Sequence, residues 1–204
     1  MVARQLRARG ITDERVLAAM GELPRERFLP GHVRRQAYRD GAVRIARGQT
    51  MSQPWIVAYM TELLGLSGDE RVLEVGTGSG YGAAVLSRCA REVVTIERHP
   101  QLVQSARATL AEVGATNVEV REGDGSRGAV DRAPFGAIAV TATASGEPPP
   151  ALLEQLVPGA VLVCPVRREG RERLVRVRDG SEEPLTAVRF VALISGAPDE
   201  EASG

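Results

Sequence analysis

The run Arg71-Val-Leu-Glu-Val-Gly-Thr-Gly-Ser-Gly-Tyr81 constrains this chain more than any other. A short apolar strand, Val72 to Val75, ends at Glu74-x-Gly76-x-Gly78-x-Gly80, and a helix-like stretch from Tyr81 to Cys89 follows. Glycines crowded at that point let the backbone turn sharply and approach a ligand closely. The helix behind them aims its amide donors and the positive end of its dipole at whatever binds. A turn of this kind at the carboxyl end of a strand is a nucleotide-type cofactor site.

The spacing narrows the cofactor. A dinucleotide fingerprint reads G-x-G-x-x-G. Here the glycines fall as G-x-G-x-G, with an acid two residues before the first. This pattern resembles the first motif of S-adenosylmethionine-dependent methyltransferases. Three further features agree with it. The next strand, Glu92-Val-Val-Thr-Ile-Glu97, ends in an acid about twenty residues past the glycine loop, where a carboxylate can accept from both ribose hydroxyls. A strand near Asn117 to Arg121 leads into Gly123-Asp124-Gly125, where an acid can accept from an adenine amino group. The strand Ala137 to Thr141 ends in Thr141-Ala142, at the edge of the same crevice.

A chain of 204 residues is one domain of ordinary size. Formal net charge is zero, which argues against a nucleic-acid partner held by bulk charge. All 26 basic residues are arginine, so lysine chemistry such as a Schiff base is excluded. Cys89 and Cys164 sit singly in apolar stretches and read as buried reduced thiols. His32 and His99 lack paired spacing, so no metal centre is expected. The first residues carry no apolar signal core, and no apolar run approaches the roughly 20 residues of a membrane span. A cytoplasmic monomer is the expectation.

Residues 1–66 read as helical. Thr12 or Asp13 caps a helix through Val16, Leu17 and Met20 that Pro24 ends, and Gln53-Pro54 opens another with Trp55 as core. From Arg71 strands and helices alternate: strands near 71–75, 92–97, 117–121, 136–141 and 160–165, helices near 80–89, 100–113 and 149–157. Such alternation predicts a doubly wound, mostly parallel α/β sheet, Rossmann-like, behind an N-terminal helical region. Strands near 172–178 and 186–193, joined through Asp179-Gly180, form a C-terminal β-hairpin. The methyltransferase domain is expected to span 1–195, with a disordered tail at 196–204.

Further stretches name a family. Pro24-Arg-Glu-Arg-Phe28, Ala37-Tyr38-Arg-Asp40, Gly48-Gln-Thr-Met-Ser-Gln-Pro54, Thr95-Ile-Glu-Arg98, Ala151-Leu-Leu-Glu-Gln-Leu156 and Val188-Arg-Phe-Val191 flank the glycine run in order. Together they closely resemble the protein-L-isoaspartate O-methyltransferases, from about residue 4 to residue 193. The Gly-Gln-Thr-x-Ser-x-Pro block is the specific part. The resemblance implies a class I S-adenosylmethionine-dependent enzyme, with S-adenosylhomocysteine as product, that methylates the misplaced α-carboxylate of L-isoaspartyl residues in damaged proteins. The ester recyclises spontaneously and returns part of the chain to normal aspartate. Ser52 matches the family's active-site serine; its other role would be to cap the helix at Pro54. The expected cofactor set is Gln49, Thr50, Met51, Ser52, Glu74, Gly76, Thr77, Gly78, Ser79, Gly80, Glu97, Arg98, Asp124, Gly125 and Thr141.

The chemistry suits what the chain lacks. A carboxylate with an ordinary pKa of about 4 is already ionised at neutral pH, so attack on a sulfonium methyl needs alignment and no base. Departures from the family pattern lie in the C-terminal third: Gly136 stands where an acid is usual, and Arg167-Arg168 follow Pro165-Val166. Ala160 and Ala192 replace a usual glycine and proline. The Gly136 change is expected to weaken the cofactor pocket or alter a strand start. These changes also keep open a tailoring enzyme dedicated to one aspartyl or isoaspartyl peptide. A binding module that keeps the fold without turnover is a third reading, set against intact Gly76, Gly78, Gly80, Glu97, Asp124 and Ser52.

Overall fold

The structure, a computed structural model, describes residues 1–196. The expected tail therefore lies, apart from Gly196, outside the described residues.

The N-terminal 66 residues are less helical than expected. Only α1 (Glu14–Glu22) and α2 (Pro54–Leu63) are α-helices. The rest is single turns and a two-residue hairpin, β1 (Val43–Arg44) with β2 (Thr50–Met51). Pro24 and Pro30 break any continuous helix between them. Asp13 is the cap of α1, its carboxylate accepting from the amides of Arg15 and Val16. Trp55 packs against the edge of the core. It is half-buried, stacked on Tyr59 at 4.8 Å with the Arg9 guanidinium 4.4 Å from its ring centre.

From Arg71 the chain follows the alternating pattern: β3 (Arg71–Val75), α3 (Tyr81–Cys89), β4 (Glu92–Glu97), α4 (Pro100–Glu112), β5 (Val118–Glu122), β6 (Phe135–Val140) and β7 (Ala144–Ser145). Then come α5 (Pro150–Leu153), β8 (Leu156–Arg168), β9 (Arg171–Arg178) and β10 (Ser181–Ala187). The main sheet runs β10-β9-β8-β6-β3-β4-β5, with the pairs from β8 to β5 parallel and the last two strands antiparallel.

Strand periodicity divides the core. Val72, Val93, Ala137 and Val161 face the layer containing α1 to α4. Leu73, Val94, Ile138 and Leu162 face the other side, covered by Phe135, Leu152 and Ala129. Burial on both faces explains the unbroken apolar strands.

Two boundaries differ from expectation. The helix placed at 149–157 stops at Leu153, because Gln155 turns inward. Its amide takes Ala129 N at 2.8 Å and donates to the carbonyls of Arg127 and Ala151. Leu156 then pairs with Phe135, so β8 starts early. The final strand begins at Ser181, not near 186. Asp179 and Gly180 both take left-handed φ, 48° and 74°, and make a two-residue hairpin turn with no room for a longer loop. Residues 188–194 leave the sheet instead. They cross its carboxyl end, with Thr143 N donating to Val191 O at 2.7 Å and Leu193 N to Thr143 O at 2.8 Å. No helix among the described residues is long and apolar enough to cross a membrane.

Candidate active site

Strands β3 and β6 are neighbours, yet the chain leaves β3 toward β4 and returns to β6 on the other side. A crevice opens beyond their carboxyl ends at this switch of direction. Gly76 must be glycine. Its φ is +97°, and a Cβ there would lie 2.3 Å from Thr141 Oγ1. That hydroxyl donates to the carbonyls of Val75 (3.0 Å) and Gly76 (2.7 Å), locking the two strand ends together.

Glu97 closes the turn from β4. It is only 6% exposed, and accepts from Gly78 N at 2.9 Å and His99 N at 3.0 Å. Glu74 lies deeper, fully buried, and accepts from Thr95 Oγ1 at 2.7 Å, which in turn lies 2.6 Å from Thr77 Oγ1. Burial pushes the Glu74 carboxyl up to about 8, and the neighbouring Glu97 charge adds to the shift. Among the described residues no cation pairs with Glu74.

The crevice has two lobes sharing Thr50, Gly76, Gly78, Thr141 and Val191. One is lined by Met51, Ser52, Glu74, Thr77, Ser79 and Tyr81, with Val57, Met60 and Leu86 as apolar wall. The other is lined by Gln49, Ile96, Glu97, Arg98, His99, Gly123 and Gly125, and is covered by residues 191–194. Gly125 sits so close to β3 that a Cβ would meet Val75 Cγ1 at 2.4 Å. Beside the first lobe an open groove runs along Arg9, Gln53, Trp55, Ile56 and residues 186–190, and it also touches Thr50 and Ser52.

Most residues of the expected set thus converge on one crevice. Gly80 stands behind it, at the start of α3, where its backbone packs against Ala106 of α4. Asp124 is placed otherwise. Its carboxylate caps the turn at 125–127 through Ser126 N and Ser126 Oγ, and accepts from Gly196 N at 2.7 Å. The cap role considered for Ser52 is not found: Gln53 is the residue before α2, and no side chain bonds the first amides of that helix.

Sequence reasoning missed Tyr81, His99, Phe190 and residues 192–194. Tyr81 was visible as the end of the glycine run. The last segment gave no signal, because its place over the crevice depends on where the hairpin releases it.

The departures are local. Gly136 lies at the start of β6, the end of the sheet away from the crevice, and a Cβ there would sit 2.9 Å from Glu70 Cγ. The acid of this region is Glu70 itself. Hydrogen bonds from Ser67 and Gly68 hold its carboxyl down to about 2, outweighing its desolvation. The Gly136 change thus bears on a strand start and not on the pocket lining. Arg167 pairs with Glu172, whose other oxygen accepts from Thr143 Oγ1 and Phe190 N, both at 3.2 Å. Arg168 makes a two-pronged pair with Glu182 at 2.6 and 2.7 Å.

The family model described as protein-L-isoaspartate(D-aspartate) O-methyltransferase matches residues 1–197. The chain belongs to that family. A protein-L-isoaspartate O-methyltransferase 2 of Pelobacter propionicus is 51% identical over 95% of this chain and 88% of its own. The corresponding Methanoculleus marisnigri protein is 50% identical over 95% and 90%. A solved protein-L-isoaspartate O-methyltransferase superposes with a TM-score of 0.84 at 28% identity, over 97% of this chain and 67% of that one. A Plasmodium falciparum structure solved with S-adenosyl-L-homocysteine shares the fold, with a TM-score of 0.82 at 23% identity, over 96% and 97%.

Proposed function

We propose that this chain transfers a methyl group from S-adenosylmethionine to the α-carboxylate of L-isoaspartyl residues in damaged proteins, the first step of their repair. One observation carries the reading. The crevice beyond the glycine turn and the neighbouring surface groove share Thr50, Ser52 and Phe190, so a donor in the one and a peptide in the other can face each other there.

The residues fit the cofactor. A close-packed glycine turn accepts a nucleotide backbone-first, and a buried acid that no cation among the described residues pairs with, raised to about 8 by burial, would ionise beside a ligand that carries positive charge. Glu97 keeps free lone pairs on both oxygens beside Gly78 and His99, suited to a ribose diol. Gly123 and Gly125 would flank the adenine, and Asp124 would reach it only by sharing the carboxylate that now takes Gly196 N. When bound, S-adenosylmethionine supplies an electrophilic methyl and its own leaving group.

What the chain itself must do is align. Thr50 and Ser52 hold the acceptor carboxylate at the mouth, while Val57, Met60 and Leu86 keep water from the methyl end. No side chain has to take a proton, since the acceptor is already ionised. The groove is lined by a mix of charged, polar and apolar side chains, Arg9, Gln53, Trp55, Ile56 and residues 186–190, a surface along which an extended peptide would lie.

Arg167 favours a second reading, a tailoring enzyme for one peptide, because its pair with Glu172 fastens Phe190 at the groove wall. A labelled methyl-transfer assay on matched isoaspartyl and aspartyl peptides separates the two. Label on a broad set of isoaspartyl peptides is expected; preference for aspartyl partners would overturn the repair reading.

A further inference from the structure

Arg25 is fully buried, and among the described residues no carboxylate pairs with it. Burying a guanidinium without a counter-ion is costly, so its donors must be needed where they point. Nε donates to Ala37 O at 2.7 Å, and Nη2 donates to the carbonyl of Ser52. The cationic carbon lies 4.6 Å from the ring centre of Tyr81, the first residue of α3 after the glycine turn. Phe28, on the same short turn as Arg25, meets that ring edge-on at 5.3 Å. Among the described residues, neither Arg25 Nη1 nor Tyr81 Oη, both buried, has a hydrogen-bond partner of good geometry.

These contacts join three parts that are far apart in sequence. The Arg25 turn is seated on the start of α3, and from there it grips the backbone of Ser52. Ser52 and Tyr81 line the same lobe of the crevice. Other buried tethers, such as Gln155 on the 127–129 loop, hold backbone away from the crevice. An ammonium could not reproduce a planar fork that serves two carbonyls while stacking on a ring. The charge, surrounded by low-dielectric core, also makes the potential behind Ser52 positive.

We propose that Arg25 is the positioning residue of the acceptor carboxylate: its fork sets the Ser52 backbone against the glycine turn, and its uncompensated charge favours an anion at the mouth of the crevice. This rests on the isoaspartyl reading above.

The test uses the full chain with Arg25→Lys and Arg25→Met. Lysine loses the fork and keeps only an amine that burial can neutralise; methionine loses the fork and every charge. S-adenosylhomocysteine affinity should stay within about threefold of wild type in both, while kcat on an isoaspartyl peptide should fall about thirtyfold in Arg25→Lys. With S-adenosylhomocysteine present, calorimetry compares an isoaspartyl peptide with its neutral isoasparaginyl twin. The preference for the charged peptide should shrink about tenfold or more in Arg25→Met.

The proposal is overturned if Arg25→Lys turns over near the wild-type rate, or if Arg25→Met keeps the preference. It is also overturned if cofactor affinity and melting temperature fall in step with turnover, or if neither variant folds, because Arg25 would then be structural only. If Arg25→Met alone fails to fold, the Arg25→Lys split between turnover and cofactor affinity decides. Wild-type protein that labels no isoaspartyl peptide would instead sink the functional reading and leave the Arg25 geometry unexplained.

Discussion

The cofactor cradle and the acceptor wall are built in opposite ways. The cradle is built on sheet: Gly78 reaches Glu97 across 19 residues and Thr141 reaches Gly76 across 65, all on strand ends held in register by parallel ladders. The wall is gathered from distant pieces. Arg25 on one short turn donates to the Ser52 carbonyl, and Glu172 accepts from the amide of Phe190, which lies outside any strand. A cradle made of sheet is formed whenever the core is. A wall hung on a few long-range polar bonds depends on each of them. Damage to the cradle should therefore appear as lost cofactor binding, and damage to the wall as lost turnover.

The sharpest way to break this contrast is Gly76→Ala. The new methyl would overlap Thr141 Oγ1 at a left-handed φ, so about 3 kcal/mol of stability and most cofactor affinity should be lost. Near-normal S-adenosylhomocysteine binding by calorimetry would show that the cradle is not close-packed. Glu97→Ala comes next, with about 1.5–3 kcal/mol of cofactor affinity lost with its charged hydrogen bonds. Unchanged affinity would remove Glu97 from the site.

On the wall, Ser52→Ala should lower peptide turnover about tenfold and leave cofactor affinity alone. Because Ser52 caps no helix, its melting temperature should hold. A fall in melting with normal turnover would reverse the assignment.

The cradle also carries a pH signature. Glu74 is raised to about 8 from its ordinary 4.5. A carboxyl raised on folding contributes stability that is fully present below the lower value and lost as pH rises through the upper one. Ligand-free protein should therefore melt lower at about pH 9 than at about pH 6, and Glu74→Gln should flatten that slope. Glu70, held down to about 2, acts outside this window, losing its contribution only as pH falls toward that value. A wild-type melting temperature that rises between those two pH values would contradict the placement of Glu74. The smallest effect belongs to Arg168→Ala. Its exposed pair with Glu182 should be worth less than about 1 kcal/mol and leave both binding and turnover unchanged.

The same contrast explains what was legible beforehand. The strands at 71–75 and 92–97 and the glycine turn read directly, because two-sided burial and backbone strain write themselves into adjacent residues. Thr50 and Ser52 were found only through the resemblance of their block to a family, since nothing local tells a serine before Gln53-Pro54 from a helix cap. Trp55 reaches the core only at its edge, because helical spacing shows which face a residue shares, not whether a neighbouring loop covers it. The last strand was placed late because Val188-Arg-Phe-Val looks like strand, whereas the tight Asp179-Gly180 turn starts pairing at once and frees 188–194 to cover the crevice. Arg25 stood out only as part of the Pro24-Arg-Glu-Arg-Phe28 resemblance, because a single arginine in a turn reads as surface until the fold closes over it.

The most direct test is a crystal structure of the full chain with S-adenosylhomocysteine and an isoaspartyl peptide. The product should lie along Gly76, Gly78 and Glu97, with one oxygen of the peptide carboxylate facing its sulfur beside Ser52. Product bound elsewhere, or a peptide carboxylate turned away from Ser52, would contradict the view that donor and acceptor meet where the cradle joins the wall.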